Sequence, residues 1–152
     1  MNDKALVVYT PGGELVFNEE MAEAASIPII NALTDLYHPC QVLSDLMTVK
    51  EKVGRLDDLK VAWVGDGNNV AHSWINAACS LGFELTLACP SNYHPSSEVL
   101  KGVGENVHLV ESPHEAAENA DVINTDVWAS MGQEAERAQR LSDFQDFQVN
   151  QA

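Results

Sequence analysis

Positive charge is scarce in this sequence. Five lysines and three arginines stand against 23 acidic residues, leaving a formal charge of −15 over 152 residues and a pI ≈ 4.4. The cations are scattered from Lys4 to Arg140 without a cluster. That excludes the electrostatic footprint of nucleic-acid binding and a polybasic membrane patch. Long apolar runs are also missing: nothing approaches the roughly 18 consecutive apolar residues of a membrane-spanning helix, and the acidic start Met1-Asn2-Asp3-Lys4 does not read as a secretion signal. Cysteine is sparse and odd in number. Cys40, Cys79 and Cys89 show no C-x-x-C spacing and read as free thiols of a reducing cytoplasm, not as a disulfide framework or a zinc site. His72, His94, His108 and His114 share no metal-ligand spacing and receive no role.

What is present suits a packed α/β domain. Apolar residues make up 45% of the chain and charged ones only 20%, enough for one compact domain with room for an appendage. Ala5–Tyr9 is a short apolar run suited to a buried strand, ended by Pro11-Gly12-Gly13. Asn18 is placed to cap a short helix toward Ala25, and Ile27–Ile30 reads as a second strand. Pro39 opens the longest helix, whose stripe Val42, Leu43, Leu46, Met47, Val53 ends at Gly54.

Beyond residue 60 the alternation is cleaner. Strands are expected at 60–64, 84–88, 107–110 and 122–125. Helices are expected from 70 to 81, from Pro95, from Ser112-Pro113 and over 133–141. Phe147-Gln148-Val149 reads as the approach to a further strand, so a chain ending there leaves a sheet edge open. Strands alternating with helices imply right-handed βαβ crossovers and a doubly wound parallel sheet, Rossmann-like in type. The loops at 65–69 and 126–132 then fall side by side at one sheet edge.

Three constellations carry polar chemistry. In Gly65-Asp66-Gly67-Asn68-Asn69, glycines permit a tight strand-to-helix turn, and the paired amides offer donors and acceptors where open α/β sheets bind ligands. A dinucleotide site would want glycine where Val70 stands. In His38-Pro39-Cys40-Gln41, an imidazole and an amide share a helix N-terminus and could polarise a carbonyl or phosphate oxygen; a capping His beside a surface Gln is the plainer alternative. In Asp126–Glu134, an acid just beyond a strand suits an amine ligand, while Ser130 could equally cap a helix with support from Glu134.

Taken together, NALTDLYHPCQVLSDLMTV (31–49), VAWVGDGNNVAHSW (61–74) and DVWASMGQE (126–134) closely resemble the ornithine carbamoyltransferases of the aspartate/ornithine carbamoyltransferase family, in order and spacing. The resemblance runs from DKALVVYT near the start to the final FQDFQV. It implies two α/β domains, one for carbamoyl phosphate and one for ornithine, a trimer with sites at subunit borders, and neither metal nor organic cofactor. The small-molecule partners it implies are ornithine and carbamoyl phosphate, converted to citrulline and phosphate in arginine biosynthesis or the urea cycle. By position, His38 and Gln41 would polarise the carbamoyl carbonyl. Asn69 would hold the ornithine α-carboxylate or amino group, and Asp126 would pair with the α-ammonium. Ser130 and Met131 would close over the substrate from a loop.

The same resemblance divides the chain into a carbamoyl-phosphate-domain remnant (1–38), an interdomain helix (39–56) and a C-terminally truncated ornithine domain (57–152). The family's Ser-x-Arg-Thr-Arg phosphate clamp is not among these residues, and Tyr9-Thr10 stands where Arg-Thr is usual. The family's His-Cys-Leu-Pro segment is missing too. The chain by itself is therefore expected to be inactive or very weak, because a phosphate without arginines meets only a strongly acidic protein. Two alternatives remain open: a non-catalytic amino-acid-binding module on the same fold, and a carbamoyltransferase for another amine such as aspartate.

Overall fold

The computed structural model describes residues 5–9, 15–129 and 134–150. Its elements are β1 (Leu6–Tyr9), α1 (Leu15–Ala24), β2 (Ile29–Leu33), α2 (Pro39–Val53), β3 (Lys60–Val64), α3 (Asn69–Leu81), β4 (Glu84–Ala88), β5 (Val107–Val110), α4 (Pro113–Ala117), β6 (Val122–Asn124) and α5 (Arg137–Asp143). β1 and β2 form a two-stranded parallel sheet; the others form a four-stranded parallel sheet in the order β5-β4-β3-β6.

The alternation of side chains along β3 explains why helices cover both faces. Val61 and Trp63 point into a core shared with Leu85 and Leu87 of β4, Trp74, Ile75 and Ala78 of α3, and Val42, Leu46 and Val49 of α2. Ala62 and Ala88 point the other way, against Ala116 of α4 and Phe147. A strand buried on both sides reads as a continuous apolar run, as residues 61–64 of β3 do. The strand order reverses direction at β3, whose neighbours are β4 on one side and β6 on the other. Loops leaving β3 and β6 therefore lie side by side at the carboxyl edge, the topological switch point where open α/β sheets place their binding crevice.

Local chemistry sets the helix bounds near that crevice. Pro39 occupies the first turn of α2, and Gly54 ends it in the left-handed region (φ 85°) with its N–H on the Lys50 carbonyl. Asn68 caps α3, its Oδ1 accepting from the N–H groups of Val70 (3.0 Å) and Ala71 (3.2 Å).

Three expectations need correction. α1 begins at Leu15, so Asn18 lies inside the helix; a cap preference of about 1 kcal/mol does not outweigh another turn of backbone bonding. β2 starts at Ile29, because Pro28 has no N–H for the ladder and contributes only its carbonyl, to Leu6 N. No helix opens at Pro95: Ser91–Tyr93 is a 3-10 turn, and the residues after Ser96 make isolated turns. Pro95 instead packs against Gly67, and Gly102 in the left-handed region stops any propagation.

Candidate functional site

The turn after β2 delivers His38. Thr34 N–H donates to the Tyr37 carbonyl (2.8 Å) and Tyr37 N–H returns a bond to Thr34 Oγ1 (3.2 Å), closing a turn that ends at the start of α2. His38 sits at the N-cap position without a side-chain cap bond, so the plain capping role does not apply. Its Nδ1 is buried and has no hydrogen-bond partner among the described residues. Its backbone N–H donates to Ser73 Oγ (2.8 Å), which donates in turn to the Asn69 carbonyl (2.8 Å). Asn69 closes the circuit by donating from Nδ2 to the Thr34 carbonyl (2.9 Å). With one Nδ2 hydrogen committed there, Asn69 still has its second Nδ2–H and the acceptor Oδ1 for a ligand.

Gln41, one turn into α2, is exposed and donates from Nε2 to Asp45 Oδ1 (2.9 Å). The other Asp45 oxygen accepts from Asn124 Nδ2 at the end of β6 (3.4 Å). Gln41 is thereby left with its second Nε2–H, a donor, and Oε1, an acceptor. Two residues past Asn124, Asp126 accepts at Oδ2 from Asn68 Nδ2 (2.9 Å) and at Oδ1 from the N–H of Val127 (2.7 Å). The 65–69 and 126–128 loops are thus neighbours, as the crossover argument requires. Ser130 and Met131, the two remaining residues singled out from the sequence, lie outside the described residues.

Two glycines allow this approach of loops. Gly65 has φ 142° and donates from its N–H to the Ala88 carbonyl (3.0 Å). A Cβ on Gly67 would lie 2.2 Å from Pro95 N and 2.5 Å from the His94 carbonyl carbon, so only glycine fits there.

Three groups beneath the site escape sequence inspection. Arg140 of α5 is buried: Nη2 donates to Asp66 Oδ2, Nε donates to the Trp128 carbonyl, and the guanidinium lies over the rings of Tyr93 (4.7 Å) and Phe144 (5.3 Å). Burial pushes the Asp66 carboxyl up, with Arg140 opposing the shift. His72 is buried between Leu36, whose carbonyl takes Nδ1–H at 2.9 Å, and Ser96, whose N–H donates to Nε2 at 3.0 Å. Those partners define a neutral Nδ1–H imidazole, and burial lowers its pKa. Asn68, its cap role aside, holds Asp126. The repeated Asn-Asn was the available signal for that tie; Arg140 and His72 left none, since their partners are distant in sequence. Cys89 is buried and its thiol is pushed up to about 12, which removes it as a nucleophile.

Parallel strands covered by helices on both faces and a switch point in the strand order define a doubly wound α/β protein. The family profile described as "Aspartate/ornithine carbamoyltransferase, Asp/Orn binding domain" matches residues 57–152, and that described as "carbamoyl-P binding domain" matches residues 1–51. The chain belongs to the aspartate/ornithine carbamoyltransferase family. It is 55% identical over 149 residues to the ornithine carbamoyltransferase of Desulfotalea psychrophila, covering 95% of this chain and 48% of that one. With the ornithine carbamoyltransferase of Syntrophus aciditrophicus, identity is 56% over 138 residues, or 88% of this chain and 46% of the relative. The solved ornithine carbamoyltransferase of Pyrococcus furiosus superposes with a TM-score of 0.86 at 44% identity, over 97% of this chain and 49% of that chain. The chain spans about half the length of the curated relatives it matches.

Proposed function

We propose that this chain binds ornithine at the carboxyl edge of its four-stranded sheet and supplies the amino-acid-binding half of an ornithine carbamoyltransferase. In this reading residues 1–38 belong to the carbamoyl-phosphate side, 39–56 form the interdomain helix and 57–152 the ornithine domain. The observation that carries it is the carboxylate of Asp126, fixed by Asn68 at the switch point of the sheet. An acid held in place there favours an ammonium ligand over an acidic one. Asn69 can serve the ornithine amino group through Oδ1 or its α-carboxylate through the remaining Nδ2–H, and the chain charge of −15 attracts a cationic amino acid and repels aspartate.

In the reaction, the δ-amine lone pair attacks the carbonyl carbon of carbamoyl phosphate. The bond from that carbon to the phosphate oxygen breaks, phosphate leaves with the electron pair, and the attacking nitrogen loses a proton. Negative charge grows on the carbonyl oxygen meanwhile, and the imidazole of His38 at the start of α2 is the side chain suited to donate to it. The sequence alone suggested that Gln41 acts on the same oxygen. With one Nε2 hydrogen bound to Asp45, Gln41 keeps the second for that oxygen and Oε1 for the carbamoyl N–H. Ser130 and Met131 would complete the ornithine pocket from their loop. Leu43 and Met47, 65% and 61% exposed on α2, provide apolar surface for the trimer the family uses. Arginine biosynthesis in the cytoplasm is the setting this reading implies.

Calorimetric titration with L-ornithine and L-aspartate tests the proposal. Ornithine should bind and aspartate should not; the reverse preference, or binding of neither, contradicts it.

A further inference from the structure

Asp66 and Asn68 stand two residues apart in the β3–α3 loop, and Asp126 and Trp128 stand two residues apart beyond β6. Asn68 bonds to Asp126, and Arg140 bonds to both Asp66 and the Trp128 carbonyl. The same two loops are therefore braced twice, once at the ligand-facing level and once beneath it. We propose that Arg140 is a positioning residue for the amino-acid subsite: its guanidinium clamps the two loops together and so sets the direction of the Asp126 carboxylate. The inference rests on the reading of that subsite given above.

Several features distinguish the clamp from an ordinary surface ion pair. Arg140 is 3% exposed, and two aromatic rings fix the plane of its fork. Its two bonds leave from different nitrogens, Nη2 to a carboxylate and Nε to a backbone carbonyl, directions that a rigid guanidinium fixes and the single nitrogen of an ammonium does not. Arg140 also belongs to α5, a separate element from the two loops it joins. It therefore ties α5 to the loop that follows β6 at Trp128.

The test uses the whole 152-residue chain and Arg140→Lys, which keeps the charge opposite Asp66 but loses the fork. Nuclear magnetic resonance reads the solvent exchange of the Asn68 side-chain amide and of the Val127 N–H, both bonded to Asp126. Expected is severalfold faster exchange of both in Arg140→Lys, together with ornithine affinity weaker by about tenfold. Val49→Ala, a core change on α2 that lowers stability without touching either loop, should leave both exchange rates unchanged. Unmoved exchange in a folded Arg140→Lys protein, or equal acceleration in Val49→Ala, overturns the proposal. If Arg140→Lys fails to fold, the neutral pair Asp66→Asn with Arg140→Gln replaces it under the same expectation. Faster exchange in a protein that binds no ornithine even as wild type would leave the clamp standing and remove the ligand assignment instead.

Discussion

Asn68 Nδ2 and Asp126 Oδ2 meet at 2.9 Å although 58 positions separate them in sequence, and the same Asn68 caps α3 through Oδ1. One side chain thus joins the helix that starts after β3 to the loop that follows β6. Asn68→Ala removes the cap and leaves a half-buried carboxylate short of a donor. A loss of about 1–2 kcal/mol is expected in chemical denaturation. Asn68→Asp keeps the cap acceptor but sets two carboxylates together, so ornithine affinity should fall more than stability does.

Gly67→Ala should be among the most destabilising single-methyl changes in the chain. The added carbon meets backbone atoms of His94 and Pro95, which cannot rotate away, so one loop must move. A cost of at least about 2 kcal/mol is expected from denaturant midpoints. A midpoint within experimental error of wild type would show that the 94–96 segment yields freely.

His72 makes stability depend on pH. Its pKa is lowered from 6.5 by burial, so the unfolded chain binds a proton that the folded chain refuses. Its contribution is complete above pH 6.5 and is lost as the pH falls from there toward the lower folded value. Protonation would also set an N–H of the ring against the Ser96 N–H it now accepts from. Urea titrations at several pH values should show this acid-side loss in wild type and its absence in His72→Gln, which is less stable throughout. Asp121, whose pKa is lowered by the Lys60 N–H and Arg55, acts only near and below 3.8 and so does not obscure the effect.

The chain by itself should form citrulline at a small fraction of a complete enzyme's rate. Of its three arginines, Arg55 bonds to Asp121 and Arg140 to Asp66, which takes both from phosphate binding. Losing one preorganised donor typically costs about a hundredfold or more. A coupled phosphate-release assay on the purified chain checks this, and robust turnover abolished by His38→Ala would contradict it.

Much of this architecture is legible in the residues. The bounds of β3, β4 and β5 follow from apolar runs flanked by polar residues and glycine, and Pro39 and Gly54 mark the ends of α2. The failures share a cause. Pro95 looks like a helix start, yet its place is decided by contact with Gly67, a partner 28 positions earlier. Within the site, the sequence points to His38, Gln41, Asn69 and Asp126, and the fold joins them through Ser73, Asp45 and Asn68. Which amide face each residue keeps for a ligand depends on those partners. Local spacing does not encode that choice.

The central claim is that Asp126 reads the ammonium of ornithine while His38 serves the carbamoyl group. Titration of ornithine into wild type, Asp126→Asn and His38→Ala chains tests it most directly. Asp126→Asn keeps the shape and should abolish binding, whereas His38→Ala should leave it intact. Undiminished binding in Asp126→Asn, or equal loss in both variants, would contradict the account.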